Sequence, residues 1–106
     1  MTDKELLELV AKAAGIELGG ATNTGYAIQI LEKPYVTTWN PLVDDGDAMC
    51  LAVKLKLAVV YPEDMAVVRV WLGDVDIIDQ LLSNNPYAAT RRAIVLAAAE
   101  LGKRMK

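Results

Sequence analysis

A chain of 106 residues, 54% of them hydrophobic, suits one packed domain and is too apolar for a disordered segment. It has no His and one Cys, so it can form neither a Ser-His-Asp set, nor a His-bearing zinc site, nor an internal disulfide. The formal charge of −3 has the wrong sign for a general nucleic-acid binder, and no apolar run approaches the roughly 20 residues that cross a bilayer.

The chain opens on Thr2 and Glu5, a T-x-x-E capping box in which each side chain satisfies the other's backbone donor. Leu6, Val10 and Ala13 recur at helical spacing, with Leu9 widening the stripe, and predict a helix over residues 3–14. Gly15 sits where a left-handed C-terminal residue belongs. Residues 17–24 read as a loop. Gly19-Gly20 lacks the preceding strand and the following Lys-Ser/Thr of a phosphate cradle. Tyr26, Ile28 and Ile30 alternate with Ala27 and Gln29, predicting a strand over 25–31. Tyr35 to Thr38 either extends that strand or pairs beside it, and Pro34 favours an edge.

Asp44 or Asp45 can cap a second helix over 45–56, with Asp47 in its first turn near the positive end of the dipole. Ala48, Leu51, Ala52 and Leu55 give its apolar face, which Met49 and Val53 broaden; Cys50 falls there too, as a buried thiol. Ala58 to Tyr61 and Met65 to Leu72 read as two strands of an antiparallel hairpin about a Pro62-Glu63-Asp64 turn. Residues 74–83 fit either a short helix capped by Asp74 or an irregular loop. The last helix, 86–101, begins with Asn84 or Asn85 as cap and Pro86 in its first turn, and Gly102 stops it. Its alanines (Ala89, Ala93, Ala97, Ala98) permit close approach to a sheet or a helix. The order is α-β-α-β-β-α, an α/β protein of the α+β type: one domain over 1–106, with helices on both faces of a small, mainly antiparallel sheet.

Two blocks of this sequence are familiar. One runs from Trp39-Asn40-Pro41-Leu42 through Asp44-Asp45-Gly46-Asp47-Ala48 into Leu51-Ala52-Val53-Lys54-Leu55. The other is Asn85-Pro86-Tyr87-Ala88-Ala89-Thr90-Arg91-Arg92-Ala93-Ile94-Val95, ending Ala97-Ala98-Ala99-Glu100. Together they cover about a third of the chain, and they resemble the phage ABA-sandwich domain family. The resemblance implies an α-β-α sandwich encoded by a bacteriophage or prophage. It brings no activity, cofactor or catalytic residue.

Each polar constellation has a structural reading beside a functional one. Asp44, Asp45 and Asp47 can offer oxygens to Mg²⁺ or Ca²⁺, yet they lack the twelve-position spacing of a calcium loop, and capping accounts for them. Asp74, Asp76 and Asp79 have the residue type for acid–base work but no nucleophile beside them, so a solvated surface is the better reading. Trp39, followed by Asn40-Pro41, serves either as an aromatic anchor at a binding surface or, with no Phe in the chain, as a core filler under the helix start. Arg91 and Arg92 lie about 100° apart on their helix and cannot face one target; one of them pairs with Asp44 or another acid. The Ala-rich last helix superficially matches that of a double-stranded-RNA-binding domain, but an Asn-Asn-Pro-Tyr start and a helix between the strands exclude that module.

The expected function is therefore that of a non-catalytic phage accessory protein, needing no cofactor or metal. It binds an unidentified host or phage protein in the host cytoplasm, with no nucleic acid and no membrane, and interference with a host defence or regulatory complex is one form of this. The opening Met1-Thr2-Asp3-Lys4-Glu5 lacks a signal-peptide pattern and agrees with the cytoplasmic location. The candidate interaction surface is Trp39, Asn40, Asp44, Asp45, Asp47, Arg91 and Arg92, and the most acidic stretch, 44–79, is the surface to test first. Two alternatives stand beside it: a homo-oligomer (a homodimer through the alanine row), and a small enzyme using carboxylates and a divalent ion.

Overall fold

In the computed structural model, residues 2–22, 25–29, 36–73 and 76–105 are described. Helix α1 spans Asp3–Ala14. The Thr2 hydroxyl accepts from the Glu5 amide at 3.1 Å, and Glu5 returns the bond to the Thr2 amide at 3.2 Å. The Thr2 amide, and the Thr2 hydroxyl at 3.0 Å, both donate to the Glu5 carboxylate and hold it below its usual range. Gly15 closes the helix with φ +69°. The buried stripe is Leu6, Leu7, Val10, Ala11 and Ala14, one residue round from the expected one, so Ala13 lies on its margin.

Strands β1 (Ala21–Thr22), β2 (Gly25–Gln29) and β3 (Val36–Trp39) pair antiparallel in that order. β1 falls inside the stretch read as a loop. β3 pairs beside β2, setting Tyr26 opposite Trp39. Ile30, Leu31, Pro34 and Tyr35 lie outside the described residues. Gly25 has φ +149°, and a Cβ there would sit 2.3 Å from the Trp39 carbonyl oxygen, so only glycine fits. The Tyr26 hydroxyl donates to Glu8 at 3.2 Å, tying this sheet to α1. Burial, reinforced by that bond, raises the phenol's pKa.

Helix α2 spans Asp45–Lys54, shorter than expected, because Lys56 enters the left-handed region (φ +55°) and the Leu57 amide bonds back to Ala52. Strands β4 (Ala58–Val60), β5 (Val67–Leu72) and β6 (Asp76–Leu81) form a second antiparallel sheet in chain order. The expected hairpin is β4–β5, with Val59 opposite Val70. β6 replaces both alternatives for residues 74–83. Gly73 (φ +69°) turns the chain back, and Ile78 and Gln80 then alternate inward while Ile77, Asp79 and Leu81 point out. Asp74, the proposed cap, lies outside the described residues.

Helix α3, Pro86–Arg104, is the centre of the molecule. Ala93, Ile94, Val95, Ala97, Ala98 and Ala99 are all buried, nearly right round its circumference. One side lies on β5 and β6, where Val68, Val70 and Leu72 point inward; the others meet α1 and α2. A Cβ at Gly102 would lie 2.1 Å from the Leu9 carbonyl oxygen, so the α1–α3 approach needs glycine inside α3. The protein is thus α+β, with small antiparallel sheets covered by helices. The strands divide between two sheets, and the helix cover of β4–β6 falls on one face, where cover on both was expected.

Candidate interaction site at the start of α2

The segment entering α2 is fixed by its own side chains. Asn40 Oδ1 accepts from the Leu42 amide at 3.0 Å, an Asx turn around the fully buried Pro41. The Asn40 carbonyl takes the Val43 and Asp44 amides. Asp44 caps the helix, accepting from the Asp47 amide at 2.8 Å. Asp47 reaches back to the Asn40 amide at 2.9 Å, closing the loop. Burial raises the Asp47 pKa; the Asn40 bond opposes this, and the charge of Asp44 adds to it.

Trp39 is 3% exposed, so it fills the core and is not available as a surface anchor. The two arginines part company, as their angular separation requires. Arg91 Nε donates to the Leu42 carbonyl at 2.9 Å and Nη1 pairs with Asp45 at 2.6 Å, joining α3 to the start of α2. Arg92 reaches Asp3 on α1 at a loose 3.5 Å. The structure therefore brings Asn40, Asp44, Asp45, Asp47 and Arg91 to one corner and leaves Arg92 on another. Among the described residues no three His, Cys, Asp or Glu side chains are placed to hold a metal ion. Asp79 is paired with Arg69 at 2.8 Å, away from this corner.

Beside the corner lies an open cleft of about 430 Å³ between α2, α3 and the end of β4. Its wall is mainly apolar: Met49, Tyr61, Pro86, Tyr87 and Ile94, with Asp45 and Arg91 at one end. Thr90 gives its hydroxyl proton to the Pro86 carbonyl at 2.8 Å, so Tyr61 donates to Thr90 at 2.7 Å. That bond holds the Tyr61 ring along the wall. Met49 (60% exposed), Val53 (70%) and Tyr87 (71%) stand out into solvent, and Cys50 is exposed beside them. Apolar spacing predicts Met49, Cys50 and Val53 on the buried face of α2. The buried stripe is instead Ala48, Leu51 and Ala52, because α2 packs chiefly against α3. The surplus of apolar residues around α2 was the signal for an outward apolar face.

The alanine row of α3 is buried within the chain, which removes the surface on which a homodimer was expected. No helix among the described residues is long and apolar enough to cross a membrane. Comparison with family models, curated proteins and solved structures finds no match to this chain.

Proposed function

We propose that this chain is a small, non-catalytic protein-interaction module that takes an apolar, positively charged segment of a partner protein into the α2–α3 cleft. The observation that carries this is the cleft itself. A pocket of this size lies within the roughly 300–1,000 Å³ typical of ligand clefts, and aromatic and Met side chains dominate its exposed wall. Such residues are favoured where partners are anchored.

Charge selects the partner. Asp45 lines the cleft, Asp44 and Asp47 stand within two residues of it in the chain, and Glu63-Asp64 follow Tyr61 by two residues. Arg91, the base lining the cleft, is already paired with Asp45. Acidic residues near an apolar wall suit Lys or Arg flanking Leu, Phe or Trp. The two blocks that resemble the phage ABA-sandwich family are the ones joined at this corner by Arg91. That supports reading the chain as a phage accessory protein acting in the host cytoplasm, where occupying a host complex is its effect.

Selection from a random-peptide display library tests this directly, with Tyr87→Ala and Asp45→Lys variants as counter-selections. Peptides that pair Leu, Phe or Trp with Lys or Arg, and lose at least tenfold in affinity for the Tyr87→Ala protein, are expected. Acidic selected sequences, or binding indifferent to both substitutions, would contradict the reading.

A further inference from the structure

The face of the β4–β6 sheet turned away from α3 has the wrong composition for solvent. An antiparallel sheet packed on one side normally shows polar residues on the other. Here the register places Val60, Arg69 and Asp79 in one row, Ala58, Trp71 and Ile77 in the next, and Val67 with Leu81 in a third. All eight share the outward face, and six are apolar. Leu81 is 68% exposed, Val60 and Ile77 are each 42% exposed, and Trp71 is only partly covered. Arg69 and Asp79 are the exceptions, and they bond bidentately, Nε–Oδ1 at 2.8 Å and Nη2–Oδ2 at 3.0 Å.

From this we infer that the outward face of β4–β6 is the interface of a two-fold homodimer. The argument for a second copy over an unlike partner is charge. The face carries one cation and one anion in adjacent strands and has no net charge, so it complements itself. A two-fold axis between the copies, running along the groove between β5 and β6, sets each Arg69 opposite the partner's Asp79. Aligned packing at about 10 Å lets the two apolar faces interdigitate. Each ion pair enters the interface already neutralised, which lowers the cost of taking it out of water. The second layer over this sheet, which its sequence calls for, then comes from the other chain.

Sedimentation equilibrium of the full chain, from micromolar to near-millimolar concentration, tests the inference. The wild type is expected to approach twice the monomer mass. Leu81→Lys and, separately, Ile77→Lys change exposed side chains and are expected to give folded monomers by circular dichroism. Arg69→Asp and Asp79→Arg proteins should each be monomeric alone and dimerise when mixed, since only the mixture sets opposite charges across the axis. A wild type that stays monomeric at the highest concentration, or dimers unaffected by Leu81→Lys and Ile77→Lys, would overturn the inference.

Discussion

The two faces of the β4–β6 sheet are built on opposite rules. On the inner face Val68, Val70 and Leu72 meet α3, whose alanines and Gly102 let α1 and α2 close over it. In the α2 corner side chains hold backbone: Asn40 and Arg91 hold Leu42, Asp47 holds Asn40, and Asp44 holds Asp47, while Asp45 pairs with Arg91. On the outer face one ion pair, Arg69–Asp79, stands among apolar neighbours. The inner side holds the fold together. The outer face contributes little to the isolated chain, which leaves its residues free to serve contact with another molecule. The α2–α3 cleft combines both, because its floor is structural while Met49 and Tyr87 at its rim are not.

Substitutions can break this division or sharpen it. The largest effect is expected from Trp39→Ala, which empties a buried aromatic site and should cost about 3–5 kcal/mol in urea unfolding. Gly102→Ala comes next. At an ordinary helix position the change gains about 1 kcal/mol, but here the new methyl meets the Leu9 backbone, and a loss of about 1–3 kcal/mol is expected. Arg91→Ala should cost about 1–2 kcal/mol, because the Leu42 carbonyl loses its donor as well as Asp45 its partner. Arg92→Ala, with a loose and exposed partner, should stay within about 0.5 kcal/mol. A comparable loss from both arginines would contradict the assignment of the corner to Arg91.

The smallest effect is a pH dependence. The Arg69 bond holds the Asp79 carboxyl below its ordinary range. Its contribution is therefore present above the ordinary aspartate pKa and is lost as pH falls through the lower folded value. Asp47 is shifted upward, so its contribution has the opposite sign, and stability falls as pH rises from the ordinary aspartate pKa through the higher folded value, a window above that of Asp79. Acid titration of unfolding free energy should thus be flattened at its low end by Asp79→Asn and steepened by Asp47→Asn. The reverse order would show that these two carboxylates do not sit in the surroundings described.

Local chemistry made much of the fold legible. The Thr2–Glu5 box, Gly15 and the Asn85-Pro86 start each act within a few residues, and the helix boundaries they predict agree with α1 and the start of α3. β6 was not legible, because Asp74 ahead of Val75, Ile78 and Leu82 fits the spacing of a capped helix, while Gly73 and the Asp residues fit a loop. Only pairing with β5 selects the strand. The Asp and Arg residues of the corner could be named from capping rules, while the cleft could not, since Tyr61 and Tyr87 are far apart in sequence. The outward face of α2 was misread for a related reason: a ten-residue helix with apolar residues on several sides does not reveal which side meets a neighbour.

Nitrogen–proton correlation spectra of the folded chain test the central claim, that the two surfaces serve different partners. Raising protein concentration should move the indole signal of Trp71 and leave Trp39 and the Arg91 Nε–H in place. Adding a selected basic, apolar peptide at low protein concentration should move the Arg91 signal and leave Trp71 unchanged. If one set of signals answers to both titrations, or none answers to either, the division of labour between cleft and sheet face is wrong.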